Sequence, residues 1–209
     1  MQTHKRIPRV VYWMNNNLYL NVTNRCSNNC YFCFRKFKTG IKEFNLKLEN
    51  EPTVDEVQKK LRKVIDKKSW NEVVFCGFGE PLERFDLVLE VTRWLRKNYQ
   101  KAIRVDTNGH GYLLNNGRDV AKELKDAGID KVSVSLNAPN KATYNKICKP
   151  MFEDAYEKVL EFIIKAVEAG IQTEATAVTI PEVDLSKVNV LAERMGAKFS
   201  VRQYIPFFW

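Results

Sequence analysis

The chain has 209 residues, a formal charge of +9 and five cysteines. The length suits one domain with its own core, and an odd cysteine count with three thiols inside eight residues argues against a disulfide framework and for a reducing cytoplasm. No apolar run of leader length follows the basic start from Met1 to Arg9, and no segment approaches the roughly 20 apolar residues of a membrane span, which predicts a soluble protein.

Val10 to Met14 and Leu18 to Val22 are apolar segments joined by Asn15-Asn16-Asn17, residues that tolerate a left-handed backbone, and they predict a hairpin or strand start. The second arm runs directly through Thr23-Asn24-Arg25 into Cys26-Ser27-Asn28-Asn29-Cys30-Tyr31-Phe32-Cys33, which puts three thiols at the C-terminal end of a strand. The polar connection from Arg35 to Glu51, anchored at Phe37, Ile41, Phe44 and Leu46, is long for a linker and reads as a loop that covers something. Thr53-Val54-Asp55-Glu56 is a capping box, and Val54, Val57, Leu61, Val64 and Ile65 keep helical spacing behind it.

Glu72 to Gly77 is a nearly continuous apolar run, as expected of a strand covered on both faces. A regular alternation follows: helix Leu82 to Asn98, strand Ala102 to Thr107, helix Arg118 to Ala127, strand Lys131 to Asn137, helix Glu153 to Ala169, strand Thr173 to Ile180, helix Ser186 to Met195 and strand Lys198 to Tyr204. Gly128, Gly170 and Gly196 close three of these helices as left-handed caps. Six strands with helices between them are too few for the eight-stranded barrel, and they predict either a partial barrel of parallel strands or a doubly wound sheet, with the site at the C-terminal strand ends. One domain over 1–209 is expected, with 1–17 as an N-terminal extension or hairpin, 18–204 as the core and 205–209 as an aromatic tail.

Six of the 34 lysines and arginines fall on one helix, at Lys59, Lys60, Arg62, Lys63, Lys67 and Lys68. That reads as a solvated face rather than a nucleic-acid footprint, and it would steer an acidic electron donor. Three thiolates on one short loop can close on three corners of a cubane iron-sulfur cluster and leave the fourth iron without a protein ligand. The alternative is a structural zinc site, which wants four N or S ligands; no second C-x-x-C knuckle exists.

The pattern C-x-x-x-C-x-x-C, with aromatic Phe32 before its last cysteine, resembles that of the radical S-adenosylmethionine (SAM) enzymes, and the resemblance spans Leu18 to Tyr204. It selects the partial (β/α)6 barrel and implies that Cys26, Cys30 and Cys33 hold a 4Fe-4S cluster that reductively cleaves SAM to a 5'-deoxyadenosyl radical, which abstracts hydrogen from substrate. Gly77-Phe78-Gly79-Glu80-Pro81 resembles the family's Gly-Gly-Glu-Pro turn, with Phe78 in place of the first glycine, and implies that backbone there binds the SAM amino group where no Cβ intervenes. Asp106 and Asn108, in Asp106-Thr107-Asn108-Gly109, resemble the segment that organic-radical activating enzymes place near the ribose and methionine of SAM. Ser135 and Asn137 stand where that group carries polar SAM ligands; several of its members have lysine where Asn137 stands, so Asn137 brings a hydrogen bond without a charge. Ile180, in Val178-Thr179-Ile180-Pro181, and Phe32 correspond to residues beside adenine.

The stretches Asn21 to Cys26, Val74 to Pro81, Thr107 to Gly111, Gly117 to Asp119 and Ser135 to Pro139 resemble signatures of the TatD-associated radical SAM proteins. That implies a flavodoxin- or ferredoxin-type electron donor and association with a TatD-like hydrolase or a protein substrate. A half-open barrel followed by Ile205-Pro206-Phe207-Phe208-Trp209, an apolar plug or partner contact, also leans towards a macromolecular substrate. For a small substrate, Arg25, His110 and Arg202 are candidate polar contacts. Cys76 reads as core packing and Cys148 as part of a loop from Lys146 to Pro150. The cleavage needs no general acid or base, so no catalytic side chain is assigned. The rival of another class is a non-catalytic iron-sulfur or zinc-binding module with a basic partner-binding surface; SAM-dependent methyl transfer on the same scaffold is a third reading.

Overall fold

The structure, a computed structural model, describes residues 7 to 204. The basic residues before position 7 and the aromatic tail from 205 lie outside the described residues. Strands β1 (Val11–Met14) and β2 (Asn17–Leu20) form the expected hairpin, closed with Met14 opposite Asn17. Asn15 and Asn16 take φ of 47° and 65°, the pair of left-handed residues that a two-residue turn matched to strand twist requires.

The long connection contains a small hairpin, β3 (Gly40–Ile41) with β4 (Phe44–Asn45). Phe44 and Leu46 are buried with Tyr12 in a satellite core, against which Phe34, Ile41 and Phe78 pack. The segment does cover something: the outer edge of the sheet beside the glycine turn. Phe37, expected as an anchor, is exposed.

Helix α1 (Val54–Arg62) starts on the capping box, with both reciprocal bonds made. Then follow β5 (Glu72–Phe75), a tight 3-10 turn Pro81–Arg84, α2 (Phe85–Asn98), β6 (Ala102–Thr107), a one-turn α3 (Gly111–Leu114), α4 (Val120–Ala127) and β7 (Lys131–Ser135). Helices α5 (Lys141–Cys148) and α6 (Ala155–Glu168), strand β8 (Gln172–Val178), α7 (Leu185–Arg194) and β9 (Lys198–Arg202) complete the described chain. No helix among the described residues is long and apolar enough to cross a membrane.

Sheet order is β1-β2-β5-β6-β7-β8-β9. The last six run parallel and β1 is antiparallel on the edge. The fold is therefore α/β, an open partial barrel of six parallel strands. One strand face is apolar and packs under the helices, while the other carries polar groups: on β6, Ile103, Val105 and Thr107 are buried whereas Arg104 and Asp106 face the concave side.

Several boundaries differ from expectation. The helix expected from Leu82 begins as a 3-10 turn because the Glu80 carboxylate accepts from Leu82 N and pulls the first turn tight. The strand expected to reach Asn137 stops at Ser135, since Asn137 adopts a left-handed φ of 58°; an Asn side chain tolerates that region. Strands β8 and β9 likewise stop short of Ile180 and Tyr204. Cys148 is the last residue of α5 rather than part of a loop, fully buried with Tyr144 and Ile147 at helical spacing. The Pro139-Asn140 start and the Lys149-Pro150 end hide this short helix in the sequence.

Candidate functional site

The C-terminal ends of the parallel strands open into a cavity of about 360 Å³. Cys26, Cys30 and Cys33 line it together with Phe32, Gly77, Phe78, Gly79, Glu80, Asp106, Asn108, Ser135 and Asn137. Of the residues expected around cluster and cofactor, Ile180 is absent from the wall; it sits in the main core, and Val178 faces the cavity instead. Cys76, expected as packing, is half-buried and lines the cavity. Of the candidate substrate contacts, Arg202 lines the wall. Arg25 points outward to Glu51 and Glu83, and His110 is fully buried beneath the cysteine loop.

The glycine turn packs on the segment that delivers the cysteines. Cys76 N donates to Leu20 O at 3.1 Å and Glu80 N to Arg25 O at 2.7 Å. Between them, fully buried Asn21 accepts from Phe78 N at 2.8 Å and donates to Arg9 O and Leu46 O. A Cβ on Gly77 would fall 2.2 Å from Asn21 Oδ1, and one on Gly79 would fall 2.3 Å from Arg25 O. The glycines thus admit the neighbouring chain, a reason different from the ligand approach expected of them.

Glu80 turns inward. Its carboxylate accepts from Leu82 N, from Thr107 Oγ1 at 2.7 Å and from Asn108 N at 2.6 Å. Burial raises its pKa to about 7 against the pull of these bonds. The side chain staples the glycine turn to the end of β6. Asn108 is committed in the same way: its amide nitrogen donates to Ser27 Oγ at 3.0 Å and lies 3.8 Å from Cys26 Sγ.

Arg35, which the sequence reading did not single out, braces the loop. Its guanidinium donates to Cys33 Sγ at 3.3 Å, to Asn24 O at 3.2 Å and to Asn28 O at 3.3 Å. A cation so placed stabilises negative charge on the sulfurs and on any anionic group they hold. Its one sequence signal is the basic pair Arg35-Lys36 directly after the aromatic that follows the last cysteine. Burial pushes the Cys26 thiol up to about 12, and a hydrogen bond with Cys148, then burial, pushes Cys30 up as well. Metal uptake by these groups is therefore coupled to proton release.

Among the described residues no three or more His, Cys, Asp or Glu side chains converge as ligands of a single metal ion; a cubane cluster with its SAM is a larger group. The wall suits the larger group. Three thiols and a guanidinium share one loop, Asn28 Oδ1 is a buried acceptor without a hydrogen-bond partner, and Asp106 Oδ1 has an ion pair with Arg104 Nη1 at 3.4 Å but no hydrogen bond. Both residues line the cavity. A guest bringing ammonium, hydroxyl and amine donors, as SAM does, would satisfy Asn28 Oδ1 and add a hydrogen bond at Asp106, which Arg104 and Arg202 already face.

Desolvation lowers His110 from its ordinary 6.5 to about 4, so the ring is neutral at pH 7. The folded pKa lies below the unfolded one, so this contribution to stability is complete above pH 6.5 and is lost as pH falls towards 4. Glu80, raised from 4.5 to about 7, acts in the opposite sense, its contribution being lost as pH rises through that range. Comparison of wild type with His110→Phe isolates the histidine: denaturant titrations should show wild type losing up to about 3 kcal/mol more than the variant between pH 7 and 4.

Residues 20–195 match the model of the radical SAM superfamily. The chain is 32% identical over 191 residues to the GTP 3',8-cyclase of Aliarcobacter butzleri, covering 91% of this chain and 54% of that protein. It is 31% identical over 192 residues to the probable GTP 3',8-cyclase of Methanocaldococcus jannaschii, covering 90% and 59%. The chain thus spans little more than half the length of these relatives. In fold it is similar to Streptococcus suis SuiB, at a TM-score of 0.70 and 16% identity over 97% of this chain and 41% of that one. It is also similar to anSMEcpe with bound AdoMet, at 0.64 and 20% over 90% and 51%.

Proposed function

The chain belongs to the radical SAM superfamily, and from that membership we propose that Cys26, Cys30 and Cys33 carry the 4Fe-4S cluster and that the cavity beside them receives SAM. Cluster and SAM are the cofactors of this superfamily. Together, once reduced, they supply a 5'-deoxyadenosyl radical that abstracts hydrogen, which is chemistry no side chain offers. The observation that carries the reading is the shared wall: the three thiols, the glycine turn and the ends of β6 and β7 face one space. Arg35 balances charge at the sulfurs, Asn28 and Asp106 accept from the guest, and Phe32 and Val178 offer apolar surface to an adenine. Ser135 and Asn137 add polar contacts at the end of β7.

The relatives named GTP 3',8-cyclase share with this chain the stretch that the superfamily model covers, so their substrate does not transfer with it. Two substrate readings follow. The open side of the half barrel favours a macromolecule, with the enzyme an oxidoreductase or activase that places a radical on a protein; association with a TatD-like hydrolase rests on the sequence motifs alone. Arg202 favours a small anionic substrate: its side chain is 42% exposed at the cavity, and its contacts to Ser133 Oγ at 2.9 Å and Asp106 at 3.7 Å both use Nη2, leaving the rest of the fork for an anion. The exposed lysines of α1 suit an acidic one-electron donor of flavodoxin or ferredoxin type.

Anaerobic incubation of the reconstituted protein with SAM and dithionite is expected to give 5'-deoxyadenosine and methionine. S-adenosylhomocysteine instead would mean methyl transfer, and bound zinc with neither product would mean a non-catalytic module. Repeating the incubation with added GTP, or with cell protein depleted of small molecules, separates the substrate readings by which addition raises the yield.

A further inference from the structure

His110 is fully buried, yet both ring nitrogens are spent. Nδ1 lies 2.8 Å from Ser27 Oγ and Nε2 lies 2.9 Å from the Tyr144 hydroxyl. Tyr144 also accepts from Asn28 Nδ2 at 3.0 Å, and Ser27 from Asn108 Nδ2 at 3.0 Å. Ser27 and Asn28 are two of the three residues between Cys26 and Cys30. In either tautomer one ring nitrogen donates and the other accepts, so both contacts are hydrogen bonds whichever nitrogen carries the proton. The ring therefore closes a loop of bonds from Ser27 through His110 and Tyr144 back to Asn28.

The main chain joins the same contact. Asn29 N donates to Cys148 O at 3.0 Å, Tyr31 N to Ile147 O at 3.1 Å and Met151 N to Ser27 O at 2.9 Å. The C-terminal end of α5 thus holds the cysteine loop from one side while the β6–α3 connection, through Asn108 and His110, holds it from another. A satisfied core histidine needs partners of some kind; here both partners lead to the same two residues of the thiol loop.

We propose that His110 is a positioning residue that sets the spacing of Cys26 from Cys30 by clamping Ser27 and Asn28 between the β6–α3 connection and α5. The role rests on the reading of those thiols as cluster ligands, but the clamp itself is a property of the chain. Cys33 lies beyond it and is held by Arg35, which also donates to the main chain at Asn28 and does not depend on the histidine, so the effect of breaking the clamp falls first on Cys26 and Cys30.

The test is the rate of thiol alkylation in the whole 209-residue chain, cluster-free, under anaerobic reducing conditions, with iodoacetamide as probe and peptide mass mapping as readout. His110→Phe keeps an aromatic ring, somewhat larger than imidazole, and removes both bonds; it should raise the rates at Cys26 and Cys30 by about tenfold or more, since one lost buried hydrogen bond is already on that scale, and leave Cys33 within about twofold. Tyr144→Phe, which removes one hydroxyl, should act in the same direction and covers the case in which His110→Phe does not fold. His110→Gln, which keeps a donor and an acceptor, should return the rates towards wild type. Rates that stay unchanged in both phenylalanine variants, or that rise equally at all three thiols, overturn the clamp. Iron uptake by wild type is read in parallel: selective acceleration in a chain that takes up no iron would sustain the clamp and defeat the cluster reading. With iron bound, a shifted midpoint potential in His110→Gln is the further mark of positioning.

Discussion

Replacement of Cys26, Cys30 or Cys33 singly by alanine is expected to lower 5'-deoxyadenosine formation by about a thousandfold or more, because the bond cleavage belongs to the cofactor and no neighbouring side chain can substitute for it. Reconstituted iron should fall well below the roughly four atoms per chain of a complete cubane. The expectation is specific to these three residues. Cys76 lines the same cavity but stands on the glycine turn of another strand, and Cys76→Ala should keep its iron. Cys148 touches Cys30 from beneath the loop, buried at the end of α5, and Cys148→Ala should also keep its iron with a small loss of fold stability. Loss of iron in Cys76→Ala with retention in Cys33→Ala would reassign the ligand set. Iron content and SAM turnover of the five variants decide this.

Gly79→Ala is the second large effect. The added methyl would lie 2.3 Å from Arg25 O, 2.7 Å from Thr23 O and 2.8 Å from the Asn24 carbonyl carbon. All three are main-chain atoms, so no rotamer relieves the overlap and the turn must move off the segment leading to Cys26. The bond from Glu80 N to Arg25 O would break with it. Overpacking of this kind costs about 1–3 kcal/mol, and a rigid backbone neighbour puts Gly79→Ala at the upper end. Gly117→Ala is the control: that glycine has a left-handed φ of 78° but nothing within 4 Å of the added carbon, so it should lose about 1–2 kcal/mol from backbone strain alone and bind SAM normally. Denaturant unfolding and SAM titration of both variants separate loss of stability from loss of the site. Gly79→Ala should fail in both measurements and Gly117→Ala in the first alone.

These two effects also mark where sequence reasoning reached and where it stopped. The six parallel strands were legible because their apolar runs and the glycines at 128, 170 and 196 repeat at local spacing; each of those glycines takes a left-handed φ. The thiol loop was legible because three cysteines crowd into a few residues. The functions of Glu80 and Asn108 were not, because both side chains bond groups more than 25 residues away, and no local pattern encodes a partner at that distance. Arg35 was hidden among 34 lysines and arginines, and Asn21 looked like any residue at a strand's end until the glycine turn was seen to rest on it. Helix α5 was not legible: its eight residues lie between Pro139-Asn140 and Lys149-Pro150, only its end from Lys146 entered the reading, as loop, and Tyr144 with the clamp it forms went unnoticed.

The central claim is that three sulfurs hold an iron cluster with one iron open to SAM. Electron paramagnetic resonance of the anaerobically reconstituted, dithionite-reduced protein, recorded before and after addition of SAM, tests it most directly. An open iron predicts the signal of a reduced 4Fe-4S cluster that changes shape when SAM is added, as a new ligand enters at that iron. A cluster signal that SAM leaves unchanged, or no cluster signal from a folded protein supplied with iron and sulfide, would contradict it.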